Sequence, residues 1–420
     1  MKKVLIVTYA FPPSNDVAIH RVLRFGKWLP EYGWETVILT PEYTLSQRID
    51  TDNLQFVDKY FKKVYRTSTG FERLITRIAD KKNRNPGARF LRGYYINKLT
   101  PDTAVLWKRS AVKKGMEVIE LENIDAIWAT IGPLTSGLIG AELKKRTGIP
   151  LLIDYRDPWT LNPYKKLSGR KLETHRRLEL SMLSQADTVV TTSDYIRDVL
   201  IENNYVDSNN VTVITNGYDP ELQYINDSTE TVNLDPSKIH ITYTGGFYGD
   251  RQPYSFLDGL KLFFDEHPEY RGKIQFNIVG NLDPENKIVN YCKRYNFEGL
   301  VNTTGLVPYR SAMQYLKESD ILLLVNGEND GSGIFIPGKL FDYMATKKPI
   351  IFIGEGQSKD IINELRLGET AIHDPETISA VIKKTLERNS DDNYTKTKFE
   401  NFRSKFLANK LSSVLNSIKI

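Results

Sequence analysis

Ile336-Pro337-Gly338-Lys339-Leu340-Phe341-Asp342-Tyr343-Met344-Ala345-Thr346-Lys347-Lys348-Pro349 reads as a turn, a short helix and the approach to a strand, arranged around an anion. Pro337 suits the first helical turn, where a missing N–H costs nothing, and Gly338 lets backbone come close to a ligand. Lys339 and Asp342 are three positions apart and share a helix face. At such a helix N-terminus the free N–H groups and the positive dipole end favour phosphate. Lys339 adds a full charge there, and Asp342 can accept bonds from ribose hydroxyls. The chemistry points to a nucleotide diphosphate. Lys347, Lys348 and Pro349 close the helix before the strand Ile350-Ile351-Phe352-Ile353. An ordinary helix between two core strands, with Lys339 and Asp342 as surface charges, fits the same residues.

Outward from this stretch, short β-rich apolar runs alternate with helical patterns, the signature of parallel sheets with crossover helices. The first half predicts strands over residues 3–8, 36–40, 63–66, 126–130, 151–155, 188–192 and 211–214. The second half starts afresh with 240–244, 275–279, 301–304, 321–325 and 350–354. A chain of 420 residues is too long for one typical core, so two α/β domains are expected. Residues 219–238 are polar, hold two prolines and read as the linker. The expected plan is a Rossmann-like domain over 1–216, a second over 217–395, and a final helix over about 396–420 that packs back on the first. Two such sheets facing each other place a ligand cleft at the carboxyl ends of their strands, so function belongs in the loops that follow strands.

The first of these loops is Tyr9-Ala10-Phe11-Pro12-Pro13-Ser14-Asn15-Asp16-Val17-Ala18-Ile19-His20-Arg21. It is not G-x-G-x-x-G, which counts against a dinucleotide-binding, hydride-transferring enzyme. Asn15 or Asp16 can cap the helix that follows, and the loop either covers a ligand or simply caps. Arg21 either reaches an anion or forms a salt bridge. After residues 151–155 comes Asp154-Tyr155-Arg156-Asp157-Pro158-Trp159, where charge next to a buried strand is costly unless paired or used. Asp157 suits a sugar hydroxyl, Trp159 the flat face of a sugar ring, and Arg156 either Asp154 or a ligand. A structural Arg–Asp pair fixing the loop is the plainer alternative.

The second domain opens with a strand and then Gly245-Gly246-Phe247-Tyr248-Gly249-Asp250-Arg251. Its glycines permit a tight turn against phosphate, and Arg251 offers a forked donor just before a helix. With Lys339 this gives two cations at two helix N-termini of one sheet. Gly280 and Gly305-Leu306-Val307-Pro308 can line a flat base pocket. Glu328-Asn329-Asp330-Gly331-Ser332-Gly333-Ile334 can offer backbone N–H groups to a diphosphate or sugar.

Composition narrows the class. Apolar content of 40% with 26% charged residues describes a globular chain, and Cys292 is the only cysteine, which excludes an internal disulfide and suits a reducing cytosol. No apolar run approaches the roughly 20 residues needed to span a bilayer, and Val4-Leu5-Ile6-Val7 is too short for a signal sequence. The net charge of +5 is unevenly spread: from Asp58 to Lys114 there are sixteen Lys and Arg against four acids, interleaved with Phe61, Phe71, Phe90, Tyr94, Tyr95 and Trp107. That stretch fits an anionic membrane surface, or a solvated face with aromatics turned inward; nucleic acid is disfavoured because no binding motif is present. A second basic run, Lys165, Lys166, Arg170, Lys171, His175, Arg176 and Arg177, leans toward the membrane.

The motifs in their order resemble the retaining glycosyltransferases of family 4, with the two-domain GT-B fold. The residues that carry the resemblance are Phe11-Pro12-Pro13, Tyr32-Gly33-Trp34-Glu35-Thr36-Val37, Asp154 to Trp159, Thr215-Asn216-Gly217-Tyr218-Asp219, Tyr243-Thr244-Gly245-Gly246, and Pro337 to Pro349. The resemblance implies transfer of a sugar from a nucleotide diphosphate to an acceptor, with no metal or other cofactor. It implies that Arg251 holds the diphosphate and Lys339 assists it. Asp342 stands where the family usually has a Glu on the ribose. The backbone of Ser332, Gly333, Ile334, Phe335 and Ile336 would line the sugar and phosphates, and the Asn15-Asp16 loop would close over them. The chain departs from the family in three places. Ile334 and Asp342 replace the paired Glu residues, the first loop lacks glycines, and Thr130 to Ser136 has no counterpart of the family's His, for which His20 is no obvious substitute.

Breaking the bond from sugar to phosphate leaves a more negative diphosphate and a positively charged ring, so the work asked of Arg251 and Lys339 is electrostatic. The expectation is a cytoplasmic enzyme, peripheral on the inner face of the cell membrane. It would build a surface polysaccharide or glycolipid on a glycan or lipid-linked acceptor, with Arg251, Lys339 and Asp157 in the catalytic role. A nucleotide-sugar epimerase of the same fold, or a nucleotide-sugar binding subunit without turnover, are the alternatives.

Overall fold

Strands buried on both faces of a parallel sheet need continuous apolar runs, and Val4-Leu5-Ile6-Val7, Val37-Ile38-Leu39 and Leu322-Leu323-Leu324 are all at 0% exposure. The computed structural model describes residues 1–14, 16–42, 52–68, 99–220, 232–247, 249–281, 287–297, 299–328, 331–388 and 396–418. They pack as two units, Met1–Thr215 with Ser404–Ile420, and Asn216–Arg403.

The first unit runs β1 (Lys2–Val7), α1 (Ile19–Gly26), β2 (Trp34–Pro41), α2 (Asp52–Tyr60), β3 (Lys63–Thr67), α3 (Lys108–Glu122), β4 (Ala126–Thr130), α4 (Thr135–Thr147), β5 (Leu151–Tyr155), α5 (Gly169–Leu183), β6 (Thr188–Thr191), α6 (Asp194–Glu202) and β7 (Val211–Val213). All seven strands pair in parallel in the order β3-β2-β1-β4-β5-β6-β7. The second unit runs β8 (Ile239–Thr244), α7 (Tyr254–Glu266), β9 (Ile274–Val279), α8 (Lys287–Arg294), β10 (Val301–Thr303), α9 (Tyr309–Glu318), β11 (Ile321–Val325), α10 (Lys339–Thr346), β12 (Ile350–Ile353), α11 (Gln357–Leu365), β13 (Gly368–Ala371), α12 (Pro375–Leu386) and α13 (Lys396–Glu400). Its six parallel strands follow the order β10-β9-β8-β11-β12-β13. In both sheets the order reverses beside the first strand, and a crevice opens there at the strands' carboxyl ends.

Three sequence expectations shift. The strand β13 has no apolar run of its own and forms by pairing with β12. The single helix expected from about 396 is two: α13 in the second unit and α14 (Ser404–Ser417) in the first. Arg403 between them forms a backbone bridge with Tyr218, whose N–H donates to the Phe402 carbonyl at 3.0 Å. On the first unit, Lys405 of α14 lies over the Trp28 ring at 4.6 Å and pairs with Glu31 at 2.6 Å. The expected linker starts later than residue 219, because Tyr218 and Asp219 are buried; part of it, 221–231, lies outside the described residues.

One ion pair gathers the carboxyl end of the first sheet. Arg21 of α1 donates from Nε to both oxygens of Asp154 at 3.0 and 2.9 Å and from Nη2 to one of them at 2.9 Å. It also donates to the carbonyls of Ile214 at 2.9 Å and Thr215 at 3.0 Å, and Thr130 Oγ1 donates to Asp154 at 2.8 Å. Arg21 and Asp154 are 4% and 1% exposed. Removing one partner strands a buried charge, so Arg21→Ala should cost about 3–5 kcal/mol in urea unfolding. Arg21→Met with Asp154→Leu, which removes both charges, should cost clearly less. Equal losses in the two proteins would show that the ion pair is not what holds these ends together.

Candidate functional site

The crevice of the second sheet lies between the loop after β8 and the loop after β11. Gly245 begins the first loop at φ +99°, a conformation that favours glycine, and a Cβ there would stand 3.1 Å from the Lys339 amine. Glycine thus leaves the space beside that amine open. Phe247 stacks on Tyr243 with centroids 4.0 Å apart, and this aromatic pair supports the cation: Lys339 Nζ donates to Tyr243 Oη at 2.6 Å and sits 3.9 Å from the ring centroid. Arg251 is buried, and its guanidinium lies 5.8 Å from the ring of Phe335.

These two cations act on one another. Burial, and then the field of Arg251, push the Lys339 amine down to about 7, with Asp342 acting the other way. Asp342 accepts a hydrogen bond from Tyr309 Oη at 2.8 Å. Tyr309 opens α9 directly after Gly305-Leu306-Val307-Pro308, where Leu306 is exposed and Val307 half-buried. The second loop is pinned at its start. The Asp250 carboxylate lies so close to Gly327 that a Cβ there would be 2.2 Å from an oxygen, and Ser332 Oγ donates to the Gly327 carbonyl at 2.6 Å. His373 contacts the Asn326 carbonyl at 3.1 Å through Nε2 and Ser255 Oγ at 2.9 Å through Nδ1.

The second unit therefore brings together Gly245, Gly246, Arg251, Lys339 and Asp342. Ser332, Gly333 and Ile334 form a short 3-10 turn leading to Phe335. Gly280 is buried against the backbone of Gly245, and glycine there permits the close packing of the two segments. The Ile336 side chain, 8% exposed, turns into the apolar cluster that holds Leu340 and Phe341, which leaves the expectation for its backbone as it was. Sequence reading gave no site role to Tyr243, Tyr309 or His373. Tyr243 stood in a motif already quoted and Tyr309 immediately after a loop already singled out, whereas His373 carried no signal.

In the first unit the loop residues are mostly structural. Arg21 is spent on Asp154, so it is neither an anion ligand nor a cleft residue. Arg156 does not pair with Asp154; it donates to the carbonyls of Ile131 at 2.9 Å and Ala18 at 3.3 Å. Trp159 presents no face to a sugar: it is fully buried, its indole N–H donating to His175 Nδ1 at 2.9 Å. The loop is anchored on buried Glu179, which accepts from Tyr155 Oη, from Thr160 N at 3.1 Å and from Thr160 Oγ1 at 2.5 Å. Burial raises the Glu179 carboxyl. Asp157 is exposed on this anchored loop, and His20 is half-buried. Asp16 accepts from the Ala18 N–H at 2.8 Å, a turn-forming bond. Asn15, the Tyr248, Asn329 and Asp330 positions of the loops, and residues 69–98 of the basic aromatic stretch lie outside the described residues.

Residues 18–217 match a family model described as a glycosyl transferase 4-like domain. A comparison with curated proteins finds no match. Among solved structures, a glycosyltransferase from Rickettsia africae is similar over 99% of this chain and 98% of its own, with a TM-score of 0.64 at 15% identity. HepE from Anabaena, in complex with UDP and glucose, matches over 99% and 100% with a TM-score of 0.64 at 12% identity. An E. coli trehalose-6-phosphate protein bound with UDP-2-fluoro glucose matches over 100% of both chains with a TM-score of 0.62 at 14% identity. The fold is that of GT-B glycosyltransferases, two Rossmann-like parallel-sheet units. No helix among the described residues is long and apolar enough to cross a membrane.

An amine pushed down to about 7 makes anion binding proton-linked. An anion raises it again, so affinity for an esterified diphosphate should be flat below pH 7 and fall above it, by up to about tenfold per pH unit. Titration calorimetry with a nucleotide sugar from pH 6 to pH 9 measures the slope. Lys339→Met should abolish it, and an unchanged slope in that variant would exclude Lys339 as its source.

Proposed function

We propose that this chain, whose residues 18–217 match a glycosyl transferase 4-like domain, is a retaining, metal-independent hexosyltransferase. It moves a sugar from a nucleoside diphosphate to a glycan or lipid-linked acceptor in surface polysaccharide or glycolipid synthesis, at the inner face of the cell membrane. The observation that carries the reading is the pair of mutually repelling cations, Arg251 and Lys339, beside an open glycine backbone at the switch point of the second sheet. A diphosphate relieves that repulsion.

In this mechanism the bond between the anomeric carbon and the phosphate oxygen breaks, and its electron pair leaves with the diphosphate. Arg251 and Lys339 stabilise the charge as it develops, more strongly in a site that excludes water. The acceptor hydroxyl attacks the same face of the sugar and passes its proton to the departing phosphate oxygen, so no separate protein base is required. Asp342, oriented by Tyr309, accepts from the ribose hydroxyls. Asp157 is exposed and suited to a sugar hydroxyl.

A thermal-shift screen of nucleoside diphosphates and nucleotide sugars, with diphosphate release followed for each hit, tests the reading. Uridine donors come first, because the Anabaena and E. coli structures hold UDP or a UDP sugar. Arg251→Ala and Lys339→Ala should each weaken diphosphate binding about ten- to hundredfold, the loss of a charged hydrogen bond. Unchanged affinity in both would remove the phosphate site. Binding without turnover across acceptors would instead favour a nucleotide-sugar binding subunit. Tyr309→Phe should raise KM for ribonucleotide donors about threefold to tenfold while leaving 2′-deoxy donors unaffected. An equal effect on both donor types would break the link from Tyr309 through Asp342 to the ribose.

A further inference from the structure

Between β5 and the middle of α5 the first unit carries Lys165, Lys166, Arg170, Lys171, Arg176 and Arg177, all exposed. None of the six makes an ion pair among the described residues. The neighbouring helices behave differently: Lys144 of α4 pairs with Asp187 at 2.8 Å, Arg146 with Glu142 at 2.6 Å, and Arg197 of α6 with Asp194 at 2.6 Å. On α5, Glu173 is the only exposed acid facing the four arginine and lysine side chains of the helix, since Glu179 is buried.

The placement also runs against local helix stability. The first turn of α5 holds no acid and begins with Arg170 and Lys171, where the positive end of the dipole favours carboxylates, and Ser168 makes no side-chain cap. The field is felt by the buried neighbour: burial first, and then Lys171 and Lys165, push the His175 imidazole down. A helix serving only to cover the sheet gains nothing from four exposed cations that make no ion pair. Such local inconsistency marks a functional surface.

We propose that the outward face of α5, with Lys165 and Lys166, docks on an anionic lipid bilayer. The cations sit at the head groups, and half-exposed Leu180 on the same helix reaches the interface between head groups and chains. The face offers no stacking platform for a nucleic acid strand: Tyr205, the ring beneath Arg176 at 5.6 Å, is 7% exposed. This deepens the reading of a lipid-linked acceptor by naming the surface that meets the membrane.

The test is sedimentation of the full chain with vesicles of phosphatidylcholine, with or without phosphatidylglycerol, at low and high salt. Binding should require phosphatidylglycerol and fall as salt screens it. The variant Arg170→Gln, Lys171→Gln, Arg176→Gln, Arg177→Gln should lose more than about tenfold in vesicle affinity. A control, Lys293→Gln, Arg294→Gln, Lys383→Gln, Lys384→Gln, removes the same formal charge from the second unit and should retain it. Circular dichroism and the donor thermal shift on both variants report folding and the donor site separately, so loss of donor binding would not be mistaken for loss of docking. Equal binding by the two variants, binding to phosphatidylcholine alone, or retention only on a nucleic acid or acidic glycan column would overturn the proposal.

Discussion

Lys339 and Arg251 repel each other, yet the second unit holds both at the point where its strand order reverses. The arrangement costs stability in the empty protein, because two positive groups share a region with limited access to water. Everything around them limits that cost without cancelling it. Tyr243 gives the Lys339 amine an oxygen and a ring face, Phe247 stacks behind Tyr243, and Asp342 supplies a partial counter-charge that Tyr309 holds in place. Glycine at 245 keeps room beside the Lys339 amine.

The first unit solves the opposite problem. Its polar groups at the carboxyl ends of the strands are matched to one another: Arg21 with Asp154, Trp159 with His175, Glu179 with Tyr155 and Thr160. Buried groups satisfied in this way build a rigid platform, and the residues that stay exposed on it, Asp157 among them, are few. The charged surplus of this unit sits on the outward side of α5, the helix whose buried side supplies His175 and Glu179.

Much of this was legible in the residues. Continuous apolar runs separated by helical patterns gave twelve of the thirteen strands among the described residues, and two glycine-containing loops singled out Arg251 and Lys339, which the fold brings within each other's field. The missed strand, Gly368–Ala371, has no apolar signal because it is an edge that borrows its hydrogen bonds from β12. Trp159 was read outward, and Arg21 was left open between an anion and a salt bridge, because a sequence places residues on loops without saying which way side chains turn. Both turn inward, Trp159 for its large apolar area and Arg21 for a carboxylate 133 positions away.

The sequence by itself determined the alternation of strands and helices, the two-sheet plan and the residue types able to hold a diphosphate, since these follow from local periodicity and side-chain chemistry. Tertiary structure alone decided which charges are paired. Arg156 was a candidate partner for Asp154 by proximity in the chain, yet Arg21 takes it, and Lys339 loses its proton readily because it is buried and because Arg251, 88 residues earlier, is folded near it. Electrostatic energy depends on distance and on exclusion of water, and neither is written in the order of residues.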